Sequence, residues 1–354
     1  MFNKKFYGRL ASEFHKVHPD FHPAKFVKEV TIGLDDMALN QRMRNTTNTL
    51  RNHLPADYKR SVEIICRVVP EFKSHYTSFL FPDFIAVFGK EDFALSLETL
   101  KYLTQFGSSE FAIREFLRLD FDKTIKKMYK WAEDDNFHVR RLASEGCRPR
   151  LPWSFNLERV MNDPELTKPI LETLKTDSVL YVKKSVANHL NDFSRIHTEW
   201  MLNTVRSWDK TNKDTAWIIK HASRTLIKKG HPESLAIFDF EKNVKIKLDA
   251  IKLEKNKLRL GDMLSFSFDI SSLKSTSQKL VIDYKIHYCK NSGELFPKVF
   301  KLKEVVIKPK QSLKISKLHS FKDLSTRKHY SGKHAIEIMV NGKSFSQKEF
   351  ILTV

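Results

Sequence analysis

The stretch DDNFHVRRLAS, residues 134–144, aligns with DSVLYVKKSVA, residues 177–187, and this alignment decides the fold of the longer part of the chain. Val139 falls on Val182 at an offset of 43 residues, and two basic residues follow each valine. A looser copy, TAWIIKHASRTL, begins at Thr215 and has an isoleucine at the valine position. Units of this length cannot bury their apolar faces alone, so the alignment predicts helical repeats that stack on one another.

The repeat length indicates which kind of stack to expect. A period near ~40 residues with paired helices is typical of HEAT and armadillo repeats. We therefore predict an all-α HEAT-like solenoid over residues 1–240, with a concave surface. The basic pair recurs at the same point of successive units, which favours a binding surface over ordinary solvated helix faces.

Residue types at the helix ends predict several boundaries. Ser109 precedes the apolar run FAIREFL and is expected to be an N-cap. Asp163 should cap a helix that has Pro164 at its first position. The helix within residues 212–235 should end near Gly230, because glycine commonly terminates helices.

After Phe240 the apolar period changes from helical to two. The segment KLVIDYKIHYCK, residues 279–290, alternates apolar and polar positions, as a half-buried strand does. Asn341-Gly342 separates two strand-like runs and predicts a tight hairpin. About seven short strands within residues 241–354 predict an immunoglobulin-like β-sandwich. The fold class is therefore a multidomain α and β chain, with a helical solenoid at 1–240 and a sandwich at 241–354.

The chain is strongly basic. It has 354 residues and a formal net charge of +20, and residues 241–354 hold 24 Lys and Arg against 11 Asp and Glu. Such a field attracts polyanions, which include nucleic acid, acidic membrane surfaces and acidic proteins. The excess charge on the smaller domain favours a second contact with the same polyanion; lysine-rich protection of strand edges is the alternative.

Several classes of protein lack their sequence signals here. The three cysteines are far apart, as expected in a reducing cytoplasm without a disulfide framework, and no CxxC pair suggests zinc. The N-terminal stretch lacks the apolar core of a signal peptide, and no run is long enough to span a membrane. No HExxH, GxSxG or glycine-rich phosphate loop is present. The sequence thus predicts a cytoplasmic protein without a metal or cofactor.

A few acids stand out in basic or aromatic surroundings. Glu145 lies in the stretch HVRRLASEGCRPRLPW, residues 138–153, which ends on Trp153 after two helix-breaking prolines. Asp192 occupies the equivalent part of the next repeat, and Glu110 lies at the start of a helix in the unit before. In a solenoid these acids could converge on one patch. Each also has a structural interpretation: an ion pair for Glu145, a cap for Asp192, a first-turn acid for Glu110 and a core position for Trp153.

The basic residues around these acids are the candidate contacts to a nucleic-acid backbone. They are Arg140, Arg141, Arg148, Arg150, Lys183, Lys184 and Lys220.

Three motifs carry a family resemblance. VRRLASEGCRPRLPW (139–153) is followed in order by VKKSVANHLNDFSRIH (182–197) and WIIKHASRTLIKKGHPESL (217–235). In these motifs the chain resembles the AlkC branch of the AlkC/AlkD-like HEAT-repeat DNA glycosylases. The resemblance covers about residues 1–240, and part of that branch also carries an immunoglobulin-like domain. Cys147 stands where we expect a small residue such as serine.

The resemblance implies a monofunctional DNA glycosylase of base excision repair. It would hydrolyse the N-glycosidic bond of cationic alkylated bases such as 3-methyladenine and 3-methylcytosine. By matching motifs, Glu145, Asp192, Trp153 and Glu110 are the implied active-site residues. The implied partner is double-stranded DNA with alkylated bases, bound by a monomer at the bacterial nucleoid, with no cofactor and no membrane.

Two other functions remain open on the sequence. A non-catalytic HEAT-repeat module that binds nucleic acid would need the basic pairs but not the acids. A protein-interaction scaffold, a common use of helical solenoids, would show no salt-dependent DNA affinity.

Overall fold

The computed structural model describes residues 1–72, 76–324 and 327–354 of the chain. They form two compact units, Met1–Ala222 and Ser223–Val354. The first unit is helical, and the second is a β-sandwich preceded by two short helices. The predicted fold class is confirmed: a helical region is followed by an immunoglobulin-like β domain. The units divide between Ala222 and Ser223, whereas the sequence predicted a division between residues 240 and 241.

The first unit is a succession of mostly short helices. They are α1 (Lys4–Val17), α2 (Pro23–Val30), α3 (Leu39–His53), α4 (Tyr58–Val68), α5 (Leu80–Phe88), α6 (Phe93–Leu103), α7 (Ala112–Leu119), α8 (Phe121–Trp131), α9 (Phe137–Gly146), α10 (Glu158–Asn162), α11 (Lys168–Leu174), α12 (Leu180–Phe193), α13 (Thr198–Ser207) and α14 (Lys213–Ala222). Short 3-10 turns lie at Leu34–Asp36, Val69–Phe72, Tyr76–Phe79 and Pro164–Thr167.

The aligned stretches occupy neighbouring helices. Helix α9 packs against α12, and α12 packs against α14. Val139, Val182 and Ile218, which the alignment superposes, are all buried in this stack. The 43-residue offset therefore corresponds to one step from helix to helix, because an apolar residue must face the neighbour at each step.

The first members of the basic pairs at 140–141 and 183–184 join successive layers of this stack, and Lys101, a single lysine in an earlier helix, does the same. Each forms an ion pair with an aspartate just before, or at the start of, the next helix of the row. The same contact, 2.6 Å between nitrogen and oxygen, occurs at three levels: Lys101–Asp134, Arg140–Asp177 and Lys183–Asp214. The repetition of the pair is thus explained in part by packing between repeats.

Two of the predicted helix boundaries need correction. Ser109 is not an N-cap, since α7 begins at Ala112 and the Ser109 hydroxyl donates to the carbonyl of Leu100 over 2.8 Å. The helix predicted to end near Gly230 is interrupted at Ser223, where the two units divide. Asp163 does cap its helix as predicted, accepting from the backbone of Glu165 at 3.0 Å, although the first turn is 3-10.

The second unit begins with α15 (Arg224–Lys228) and α16 (Pro232–Ile237) and continues as two sheets. Its strands are β1 (Ile246–Leu248), β2 (Lys252–Leu253), β3 (Lys257–Arg259), β4 (Met263–Ser272), β5 (Gln278–Cys289), β6 (Leu295–Ile307), β7 (Ser312–Ser320), β8 (Gly332–Val340) and β9 (Lys343–Thr353). One sheet joins β1, β2 and β7 to β4, and the other has the order β3-β9-β8-β5-β6. The sequence predicted about seven strands, and the described residues form nine. The difference arises because β1, β2 and β3 are only two or three residues long, too short to show an alternating pattern.

The Asn341-Gly342 hairpin is as predicted, and its backbone explains why. Both residues have positive φ, 48° and 78°, which the tight β8–β9 turn requires. The turn also packs against α15 and α16: the Asn341 amide donates to the carbonyl of Glu241 at 2.7 Å, and a Cβ on Gly342 would lie 2.2 Å from the Cα of Gly230. The two glycines therefore let the last helices join the sandwich.

None of the described helices combines the length and the apolarity that crossing a membrane requires.

Gly342→Ala should destabilise the second unit more than a positive φ alone explains. Left-handed backbone costs a non-glycine residue about 1–2 kcal/mol, and the added methyl group would also collide with the Gly230 backbone. Gly293→Ala is the matched control, because its φ is +80° and no atom lies within 4 Å of the added Cβ. Urea denaturation should place Gly342→Ala clearly below Gly293→Ala in stability; equal values would contradict the close approach.

Candidate active site

The four implied active-site residues lie on three helical layers of the first unit. Glu145 is the penultimate residue of α9, and Asp192 is the penultimate residue of α12. Glu110 lies in the turn that precedes α7, and Trp153 lies in the bend after α9. The cap interpretation of Asp192 does not apply, because His197 is the N-cap of the helix that follows.

Two arginines connect the three acids into one alternating series. Arg148 donates from Nη1 to Glu145 Oε1 at 2.7 Å and from Nε to Asp192 Oδ2 at 2.8 Å. Arg141 contacts Glu145 Oε1 at 3.4 Å and forms a short hydrogen bond to Glu110. We call the series Glu110–Arg141–Glu145–Arg148–Asp192 the charge row. With all groups ionised its three carboxylates exceed its two guanidiniums by one negative charge.

The charge row is nearly enclosed by protein. The Glu145 side chain is 7% exposed and that of Asp192 is 13% exposed. Burial raises the pKa of Asp192 above its usual range, even though Arg148 acts in the opposite direction. Burial lowers the pKa of Arg148, but the carboxylates of Asp192 and Glu145 outweigh it and the net shift is upward. The arginines therefore stay charged, and the Asp192 carboxylate takes up a proton at a higher pH than an ordinary aspartate does.

Two residues that the sequence did not single out complete one end of the charge row. Ser108 donates to Glu110 Oε2 and accepts from Arg141 Nη1, both at 2.8 Å. The Tyr181 ring lies 4.7 Å from the Arg141 guanidinium carbon. Tyr181 directly precedes the repeat valine, so an aromatic side chain beside the aligned basic pair was a usable signal.

Trp153 is presented to solvent by a constrained bend. Its φ of 66° is in the left-handed region, and 88% of the residue is exposed. Pro149 and Pro152 restrict the bend, and the backbone N–H of Leu157 closes it on the carbonyl of Pro149 at 3.1 Å. The interpretation of Trp153 as a core residue is therefore wrong, because an exposed indole in a restricted backbone contributes little to packing.

A cavity of about 440 Å³ lies beside Trp153. Its lining includes Tyr76, Phe79, Phe111, Trp153 and Phe155, and it reaches the charge row through Ser108. These aromatic rings share the lining with aliphatic residues and with the charged Arg44, Asp83 and Glu115. An apolar lining with a few polar groups is typical of sites that receive small organic groups.

The candidate DNA-contacting residues divide into three groups. Arg140 and Lys183 are in the ion pairs between repeats, and Arg140 also donates to the carbonyls of Asp134 and Asp135. Arg141 and Arg148 belong to the charge row, with side chains only 12% and 9% exposed. The exposed residues of the set are Arg150, Lys184 and Lys220.

Two buried groups near the charge row do not titrate near neutral pH. Burial lowers the pKa of His189 to about 3, and its Nδ1 lies 3.0 Å from the Ser144 carbonyl oxygen. Burial raises the pKa of the Cys147 thiol to about 12. Over residues 1–72, 76–324 and 327–354, no group of three or more His, Cys, Asp and Glu side chains is arranged to hold a metal ion.

The structure reveals a further residue that the sequence analysis missed. Arg114 lies in α7 at the flank of its apolar face, and it is fully buried. It donates hydrogen bonds to the bend that carries Trp153. No sequence signal separated it from Arg118, which lies one turn later on the same flank and is exposed.

Comparisons with known proteins agree over the whole chain. Residues 100–226 match the family model for "DNA alkylation repair enzyme", and residues 247–354 match the model for the C-terminal Ig-like domain of the uncharacterised protein YhaZ. The YhaZ protein of Bacillus subtilis (strain 168) is 39% identical over 353 residues, 99% of this chain and 98% of the relative.

A solved structure is similar over the full length. It is the alkylpurine DNA glycosylase AlkC of Pseudomonas fluorescens, bound to DNA that contains an abasic site analog. The two chains are 41% identical, the TM-score is 0.95, and the match covers 100% of this chain and 98% of the other. The resemblance expected from the sequence motifs is confirmed, and the chain belongs to the AlkC-type family of DNA alkylation repair glycosylases.

Proposed function

We propose that this protein hydrolyses the N-glycosidic bond of cationic alkylated bases in DNA, 3-methyladenine and 3-methylcytosine among them. The observation that carries the proposal is the charge row, an enclosed group with excess negative charge in a chain whose formal net charge is +20. A general DNA-binding surface would be positive throughout, whereas this site suits a substrate that is itself positive at its reacting centre.

The chemistry of the substrate explains why carboxylates are required. Methylation at N3 leaves the base cationic, so the bond between C1′ and the base nitrogen breaks with its electron pair going to the base. The base leaves neutral, and positive charge develops on the deoxyribose. A fixed carboxylate beside C1′ stabilises that growing charge. Water then attacks C1′, and a second carboxylate accepts its proton.

We assign these two roles by the surroundings of each acid. Glu145 contacts both arginines, so its carboxylate is held in place and suits electrostatic stabilisation of the sugar. Asp192 has a pKa raised by burial, which suits it to accept a proton from water. Glu110 is bonded by Arg141 and Ser108 and keeps Arg141 in position beside Glu145.

Trp153 is proposed to contact the lesion itself. Its exposed indole can lie against a cationic base or the charged sugar, and a desolvated cation–π contact contributes up to about 2 kcal/mol. The bend restricts where the ring can go, so the contact costs little ordering on binding.

The proposed reaction is a simple hydrolysis without strand cleavage. A glycosylase that also cleaves the strand needs an amine to attack C1′. In the described part of the chain, the cations bonded to the charge row are arginines, whose guanidinium does not form such an adduct. We therefore propose a monofunctional glycosylase acting on double-stranded DNA.

Replacement of the acids should abolish excision without abolishing DNA binding. Glu145→Gln and Asp192→Asn should each lower the single-turnover release of 3-methyladenine by about 10²–10³-fold, as expected for loss of an electrostatic or proton-transfer group. Trp153→Ala should cost about 3–30-fold, the value of one cation–π contact. Asp122→Asn is the control, because this acid is 67% exposed and pairs with Arg159 outside the charge row.

The same assay separates the other functions. A wild-type protein that binds DNA with a strong salt dependence but releases neither base would be a non-catalytic nucleic-acid module. One that shows no salt-dependent DNA affinity would be an interaction scaffold.

The proposed role of Asp192 predicts a pH dependence. Because burial raises its pKa, the carboxylate protonates at a higher pH than an ordinary aspartate. Excision should therefore fall as the pH drops through that raised pKa and level off above it. Asp192→Asn should lower the plateau and remove this acid limb; a limb that persists unchanged in the variant assigns it to another group. Circular dichroism across the same pH range controls for unfolding.

The division of the basic residues predicts different salt dependences. Lys184→Ala and Arg150→Ala should each reduce the slope of log affinity against log salt by about 1, the value for one phosphate contact. Arg140→Ala should leave the slope unchanged but destabilise the fold by about 1–3 kcal/mol, because its guanidinium is bonded to Asp177. Fluorescence anisotropy at several salt concentrations measures the slopes, and the opposite assignment would overturn the division.

A further inference from the structure

Arg114 has an unusual position for an arginine. None of its surface is exposed, and it is among the largest fully buried side chains in the described residues. Burial lowers the pKa of its guanidinium to about 10, so the group remains charged at neutral pH. A buried charge needs hydrogen-bond partners; both Nη atoms of Arg114 have them, whereas Nε has none in the described residues.

Those partners are backbone carbonyls at both ends of the bend. Nη1 donates to the carbonyls of Gly146 at 3.0 Å and Arg148 at 2.7 Å. Nη2 forms a short hydrogen bond to the carbonyl of Phe155. The Phe155 ring lies 5.3 Å from the same guanidinium carbon. One planar group thus joins the end of α9 to the chain seven residues beyond Arg148.

Two parts of the site lie within the segment that Arg114 closes. Arg148, whose side chain bonds both Glu145 and Asp192, has its own backbone carbonyl bonded by Arg114. Trp153, with a φ of 66°, lies between the two attachment points. A left-handed backbone at a non-glycine residue persists only when its surroundings enforce it.

We propose that Arg114 is a positioning residue for base excision, which fixes Trp153 and Arg148 by closing the bend between them. The inference rests on the proposed function but goes beyond it, because the hydrogen bonds of the Arg114 side chain go to backbone carbonyls of the bend and not to the carboxylates of the charge row. Its effect on the reaction passes through Trp153 and Arg148. Lysine cannot replace it, since one ammonium group cannot reproduce the planar donor geometry that reaches both ends of the bend.

Arg114→Lys tests this by separating the chemical step from binding. The single-turnover rate of 3-methyladenine release should fall about 3–30-fold, as for loss of the Trp153 contact, while the affinity for the same DNA changes less than about 2-fold. Arg159→Lys is the matched control, because Arg159 also lies over a phenylalanine ring but is exposed and pairs only with Asp122 among the described contacts. It should leave both quantities unchanged.

A double-mutant cycle distinguishes positioning from general stability. If Arg114 acts largely through Trp153, Arg114→Lys should cost less than about 3-fold in rate when Trp153 is already alanine. A purely structural role predicts the full loss in both backgrounds. Additive losses, an unchanged rate, or a loss confined to DNA affinity would each overturn the proposal.

The outcome is interpretable even if Arg114→Lys does not fold. Phe155→Ala then loosens the far end of the bend without removing the buried guanidinium, and it should show the same loss of rate and the same lack of additivity with Trp153→Ala. An unchanged rate in Phe155→Ala would overturn the proposal. Wild-type protein that releases no base would instead refute the proposed function, so the two failures are distinguishable.

Discussion

Arg148 forms hydrogen bonds with two carboxylates that come from different helices, and the organisation of the site depends on these bonds. Without that guanidinium, Glu145 and Asp192 would be two enclosed negative groups facing each other, which is unfavourable in a medium of low polarity. Arg141 does the same for Glu145 and Glu110. The result is an enclosed series that keeps one negative charge in excess while each carboxylate has a partner. Pairing with the arginines lowers the free-energy cost of burying each carboxylate, although the row as a whole stays negative.

The helical stack supplies the geometry for this series. Successive repeats place α9 and α12 side by side, so acids near the ends of both helices come within reach of one arginine. Ion pairs between repeats, such as Arg140–Asp177, hold the layers in register at the opposite end of α9. A basic residue in such a repeat can therefore serve packing, the site or the surface. The first members of the two pairs, Arg140 and Lys183, form ion pairs between repeats. The second members do not: Arg141 belongs to the charge row and Lys184 is exposed.

The charge of the chain as a whole and the charge of the charge row have opposite signs. The chain as a whole is strongly positive, which favours a polyanion such as DNA at long range. The charge row is negative and acts only at short range, where neighbouring protein excludes water. Trp153 is exposed next to this row on a restricted bend, and the bend is closed by a buried arginine. The exposed Trp153 ring and the enclosed carboxylates are thus connected through the bend, and Arg114 bonds the backbone of that bend.

Sequence patterns alone predict the change from helical to strand period, the 43-residue repeat and the Asn341-Gly342 turn, and they contain the family motifs with Glu145, Trp153 and Asp192. These signals are local, because hydrophobic period, turn residues and motif spacing are written in neighbouring positions. The sequence did not separate Arg140, which pairs with Asp177, from Arg141, which contacts Glu145 and Glu110. Nor did it indicate that Trp153 is exposed, that Arg114 bonds the bend, or that the last two short helices join the sandwich. Only the tertiary structure decided these points, because each depends on which distant backbone or carboxylate lies within hydrogen-bonding distance after folding.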